Sequence, residues 1–126
     1  MKKLVVIVLA LVAAVSCGKS ERLTPEQTVQ ECWMRIAAGD YQGAVALMEG
    51  TEQEKGEYVL LLEEKYAAKL QKASGVERVD VLASHTNDKE VLVQAIVMLG
   101  NGAEIEDIYT LHKVDKQWLI GAYSAE

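Results

Sequence analysis

Asp107 is the residue whose surroundings best suit acid–base chemistry. Counting by twos along the strand predicted from Ala103 to Val114 puts Ala103, Ile105, Asp107, Tyr109 and Leu111 on one face, so a carboxylate interrupts an apolar row. Burial there would disfavour the charged form and raise the acid's pKa, which suits a general base. The same spacing also allows a plainer arrangement, in which the face is partly open or a bulge turns Asp107 outward beside Glu104 and Glu106. The aromatic residues suggest binding more than reaction. All seven are Tyr or Trp, which bring apolar bulk with a polar tip. Core packing accounts for Trp33, Tyr66 and Trp118, whereas Tyr41 could seal a cavity or line it. Trp33, Tyr41, Tyr109 and Asp107 form the candidate ligand-binding set, with Asp107 also the catalytic candidate.

The other reactive side chains offer less. His85 falls near a strand end and His112 on the Ile108 and Thr110 face, and neither has a partner at metal-ligand spacing. Cys32 sits beside Trp33 on an apolar helix face, the place of a small buried hydrophobe. No CxxC, HxxxH or Cys/His cluster occurs, so neither a metal nor a cofactor is expected, and no Ser-His-Asp grouping can be nominated.

The elements that position these residues are legible in the period of the apolar positions. Thr24, Pro25 and Gln27 make a helix start with a capping box, and Val29, Cys32, Trp33, Ile36 and Ala37 form one buried stripe. Gly39 suits the left-handed end of that helix and Asp40 the cap of the next, which carries Tyr41, Ala44, Val45 and Met48 inward and closes at Gly50. Thr51 and Glu54 form a second capping box. Gly56 then costs about 1 kcal/mol relative to Ala, so the regular part of the third helix is expected from Glu57. Its stripe is Val59, Leu62, Tyr66, Leu70 and Ala73, and Gly75 ends it.

From Val76 the period changes to two. Val79, Val81 and Ala83 alternate with polar neighbours, Asn87-Asp88 turns, and Val91 to Leu99 is apolar on both faces. Asn101-Gly102 and Asp115-Lys116 mark two further turns, with a last strand from Gln117 to Tyr123. Short turns between neighbouring strands imply a four-stranded antiparallel meander. The expected class is α+β: three N-terminal helices packed on one face of the sheet.

The N-terminus reads as an address. Lys2 and Lys3 precede an unbroken apolar run from Leu4 to Val15, too short to span a bilayer and shaped like a secretory signal. Ala14-Val15-Ser16-Cys17 resembles the lipobox of bacterial lipoproteins, with Ala14 departing from the leucine that the pattern prefers. The resemblance implies cleavage after residue 16, lipidation of Cys17, a tether over 17–23 and a domain over 24–126. Removing Lys2 and Lys3 leaves 11 basic against 19 acidic side chains, a net charge of −8. So negative a surface repels phosphate backbones, which argues against nucleic-acid binding. Gly18-Lys19-Ser20-Glu21-Arg22 lacks the run of acids that sends some lipoproteins to the cell surface, so an outer-membrane position facing the periplasm is expected.

The capped helix, the Gly39-Asp40-Tyr41 corner, the two further helices and a sheet ending in Val114-Asp115-Lys116-Gln117-Trp118-Leu119-Ile120 together resemble the nuclear transport factor 2-like, or ketosteroid-isomerase-like, superfamily. The chain is more narrowly similar to small envelope lipoproteins of that fold. It keeps Pro25, Glu26, Val29, Gly39, Asp40, Tyr41, Asp115, Trp118 and Ile120, and has Lys116 where glycine is usual. The resemblance implies that the sheet is curved, with a cone-shaped cavity between sheet and helices, and that two chains pair through the open sheet face. Two functions follow as expectations. The preferred one is a nonenzymatic envelope lipoprotein that binds a small apolar ligand or a protein partner. The alternative is a lyase or isomerase with Asp107 as general base.

Overall fold

The computed structural model describes residues 23–121. The signal segment, Cys17 and Tyr123 lie outside the described residues. In chain order the elements are α1 (Pro25–Ala37), α2 (Tyr41–Val45), α3 (Glu52–Lys72), β1 (Val76–Asn87), β2 (Glu90–Leu99), β3 (Glu104–Val114) and β4 (Gln117–Ile120).

Capping chemistry starts α1. The Thr24 hydroxyl accepts from the Gln27 N–H at 3.1 Å, and the Gln27 side chain accepts from the Thr24 N–H at 3.0 Å. Gly39, at φ +81°, then reverses the chain in a conformation that costs other residues more. Asp40 opens α2 by accepting from the Gly43 N–H at 2.9 Å. Arg35 braces the corner, donating from Nη1 to the Gly43 carbonyl and from Nε to Glu31, both at 2.9 Å.

Two boundaries differ from expectation. Helix α2 ends at Val45 instead of Met48, because residues 47 to 49 pair with the last strand. The Ile120 N–H donates to the Leu47 carbonyl at 2.9 Å, and the Glu49 N–H donates to the Ile120 carbonyl at 2.8 Å. Helix α3 begins at Glu52, ahead of Gly56, since its capping box fixes the first turn and the penalty of one glycine is small over 21 residues. Its buried stripe uses Tyr58 in place of Val59, giving Tyr58, Leu62, Tyr66 and Leu70 at strict four-residue spacing.

The strands form one antiparallel sheet in the order β1-β2-β3-β4, as the short turns implied. Gly100 lets the β2–β3 turn touch the end of α3: a Cβ there would meet the Ser74 carbonyl oxygen at 2.6 Å. Asp115 and Lys116 both adopt positive φ, at +52° and +66°, to make the β3–β4 turn. Each non-glycine residue held there costs on the order of 1 kcal/mol, which explains the usefulness of glycine at position 116 in the resembled family.

The helices cover the concave face of the curved sheet. On β2, Val91, Val93, Ala95, Val97 and Leu99 point into the core and are fully buried. They meet Val29, Cys32, Trp33 and Ile36 of α1 and Leu62, Tyr66 and Leu70 of α3. Leu92, Gln94, Ile96 and Met98 alternate with the β2 core row and so lie on the opposite face, which no described element covers.

Candidate functional site

Register places Asp107 on the concave face. On β3, Ile105, Asp107, Tyr109 and Leu111 pair with Val97, Ala95, Val93 and Val91 of the core row. No bulge interrupts this stretch, so Glu104 and Glu106 take the other face. Asp107 itself is half-buried, in line with the partly open alternative, and its Oδ1 accepts from the Ile108 N–H at 3.1 Å.

Tyr109, two residues along, is held more firmly. The Trp33 indole Nε1–H donates to its hydroxyl oxygen at 3.1 Å, and Trp33 meets Tyr66 edge to face with ring centroids 5.0 Å apart. Burial pushes the Tyr109 hydroxyl well above the ordinary tyrosine range, and the nearby Asp107 carboxylate adds to the effect. Cys32 is sealed beside this cluster, its thiol reaching the Ala44 carbonyl oxygen at 3.7 Å. Burial pushes that thiol up to about 12, the opposite of what a nucleophile or metal ligand requires.

Three of the four candidate ligand-binding residues thus occupy one region: Trp33 touches Tyr109, and Asp107 stands beside Tyr109 on the strand. The fourth lies elsewhere. Tyr41 lines a groove of about 520 Å³ between the C-terminal ends of α1 and α3, with Ile36, Leu70 and Gln71. Burial, then the charge of Glu63, raises the Tyr41 pKa from its ordinary value. None of the four grooves lined wholly by described residues includes Trp33, Tyr109 or Asp107. Around Trp33 the cone is occupied by side chains.

His112 has partners that its sequence neighbours did not reveal. Its Nδ1 lies 3.1 Å from both carboxylate oxygens of Glu49, and its Nε2 lies 3.8 Å from Glu90. The cluster ties the segment after α2 to the central strands β2 and β3, a structural role. His85 is on β1 opposite Val91, and its side chain lies outside the described residues. Among the described residues, no group of three His, Cys, Asp or Glu is arranged to hold a metal ion.

The uncovered face is where sequence reasoning named no residues. Pairing sets Leu82, Gln94 and Ile108 in one row, with Asp80, Ile96 and Glu106 on one side of it and Ser84, Leu92 and Thr110 on the other. Leu82 is 67% exposed and Ile108 is 63% exposed. Polar contacts surround them: Gln94 donates to Glu106 at 3.0 Å, and Arg78 donates to Asp80 at 3.0 Å. The apolar residues on both faces of β2 were the signal, since a strand apolar on both sides needs cover on both.

The architecture has known counterparts. A candidate NTF2-like transpeptidase from Campylobacter jejuni, of known crystal structure, is 18% identical and superposes with a TM-score of 0.68, covering 79% of this chain and 98% of that one. No family model matches the chain, and no curated protein matches it in sequence. The chain has the nuclear transport factor 2-like fold, a cone of three helices on a curved antiparallel sheet. Such a fold can serve as a ligand-binding or an isomerase-like domain, and the likeness by itself carries no activity across.

Proposed function

We propose that this chain is an exported protein, anchored through lipid on Cys17 in the outer membrane and facing the periplasm, that works by binding on the open face of its sheet and not by catalysis. The observation that carries the reading is the exposure of Leu82 and Ile108 on either side of Gln94, in one row of a sheet face that also carries Leu92, Ile96 and Met98 among polar pairs. Among the described residues no helix is long and apolar enough to cross a membrane; the anchor is read from the lipobox-like Ala14-Val15-Ser16-Cys17.

The occupant best supported is a second copy of the chain. A two-fold axis along β2 stacks β1 of one copy over β3 of the other. Leu82 then meets Ile108, Ser84 meets Thr110, and Arg78, in the row of Met98 and Glu104, meets Glu104. Asp80 opposite Glu106 is the unfavourable pair, and each is already engaged, by Arg78 and Gln94. Ile108→Glu should convert a dimer to a monomer without unfolding it, measured by sedimentation of the detergent-solubilised full chain. A native chain that is monomeric at every concentration would refute the pairing.

A second reading keeps Asp107 as the general base of a lyase or isomerase, because it shares the concave face with Tyr109. Against it, the Tyr109 hydroxyl is engaged by Trp33 and the region is filled. This reading requires Asp107→Asn to remove a turnover shown by the native chain, and it fails if that turnover survives. Transpeptidase chemistry, suggested by the Campylobacter jejuni relative, needs an activated serine or cysteine. Cys32 does not supply one, since its thiol is buried and held protonated.

A further inference from the structure

Leu23, Thr24 and Pro25, where the chain enters the domain, lie beside the β3–β4 hairpin. Together with Lys113, Lys116 and Trp118 they line an open groove of about 500 Å³. The Lys113 ammonium sits 5.7 Å from the centre of the Trp118 ring, and Val114 is exposed next to the turn. The neighbouring β1–β2 turn adds a third lysine at this end, for the Lys113 N–H donates to the Lys89 carbonyl at 3.0 Å. Asp88 and Asp115 are the acids of the two turns.

This composition stands out in a chain of net charge −6. A half-buried tryptophan flanked by lysines is the pairing that settles at a membrane–water interface, with the ring at headgroup level and the ammonium groups among phosphates. Chain length brings it there. Cys17 precedes Leu23 by only six peptide steps, and even a fully extended run of that length spans only about 20 Å.

We propose that the end of the domain formed by Trp118, Lys113 and Lys116 is a membrane-contact surface for anionic phospholipid headgroups, which orients the tethered domain with its hairpin tip toward the bilayer. The proposal rests on the lipid anchor read at Cys17. It also gives the tether a function beyond retention, because a fixed orientation leaves the open sheet face clear of the membrane and available to its partner.

The test uses the full chain purified from membranes and reconstituted into vesicles of phosphatidylcholine and phosphatidylglycerol with brominated acyl chains. Tryptophan emission reports contact, since Trp33 is sealed in the core and Trp118 is the only other tryptophan. Emission should be quenched by the brominated lipid, and Lys113→Gln with Lys116→Gln should reduce that quenching. In the Cys17→Ala background the same pair should weaken vesicle partitioning by roughly thirtyfold. A protein acylated at Cys17 by mass yet unquenched would overturn the contact surface and leave the anchor standing. An unmodified Cys17 would overturn the anchor, and the lysine dependence of vesicle binding would then decide the contact surface alone. Crosslinking of residue 118 to a protein, without lipid quenching, would replace the bilayer with a protein partner and overturn the proposal.

Discussion

Trp33→Ala should lower the unfolding free energy by about 3–5 kcal/mol, read from the denaturant midpoint. The magnitude follows from what the indole touches. Trp33 is 1% exposed, packs on Tyr66 and donates to the Tyr109 hydroxyl. Truncation would remove a large apolar ring from a packed interior and leave that hydroxyl without its donor. Trp33→Phe separates the two contributions, because it keeps a ring against Tyr66 and loses only the N–H and part of the volume. Its cost should be about 1–2 kcal/mol. A loss below 1 kcal/mol for the alanine variant would mean that this part of the cone is not tightly filled, and a ligand cavity beside Tyr109 would return as the better reading.

The second large effect is alkaline. The Cys32 thiol has its ordinary value of 9.0 in the unfolded chain and about 12 in the fold, and the Tyr109 hydroxyl is raised from 10.0. In both cases the folded state holds the proton more tightly. The stability associated with it is fully present below the unfolded value and is lost as pH rises toward the folded one. For Cys32 the window runs from pH 9 to about 12, with a slope of roughly 1.4 kcal/mol per pH unit for each group that titrates. Unfolding free energy should therefore fall above pH 9, and Cys32→Ala should make that fall shallower even though it lowers stability at neutral pH. The folded thiol should resist a disulfide reagent at pH 8 and react once the chain is unfolded. Rapid labelling of the folded protein would show that Cys32 is not sealed.

Much of the fold was legible because local chemistry and global packing agree here. Both capping boxes, the Gly39 reversal, the Asp40 cap and the meander order follow from residue types at fixed offsets. The misjudged positions are those where a distant element decides. Met48 leaves α2 because Ile120, more than seventy residues away, offers backbone pairing. Tyr58 replaces Val59 because the sheet sets which stripe of α3 is covered. Period two put Asp107 on its correct strand face, but how open that face is depends on helices that no strand pattern describes. The outer face was harder to see. Leu82 and Ile108 are twenty-six positions apart, and only the register through Gln94 brings them into one row.

The proposed working surface is the open sheet face, and not the filled cone. Facing sheets pack about 10 Å apart, within reach of a short bismaleimide and too far for a direct disulfide. In intact envelopes, a Leu82→Cys chain co-expressed with an Ile108→Cys chain should therefore crosslink to a covalent dimer through the bismaleimide, while Cys32 stays unreactive in the core. The dimer should disappear when Ile96→Glu places a charge at the centre of the face. Absence of dimer from the mixed variants, with both new thiols freely labelled by a monofunctional maleimide, would show that the sheet faces do not pair.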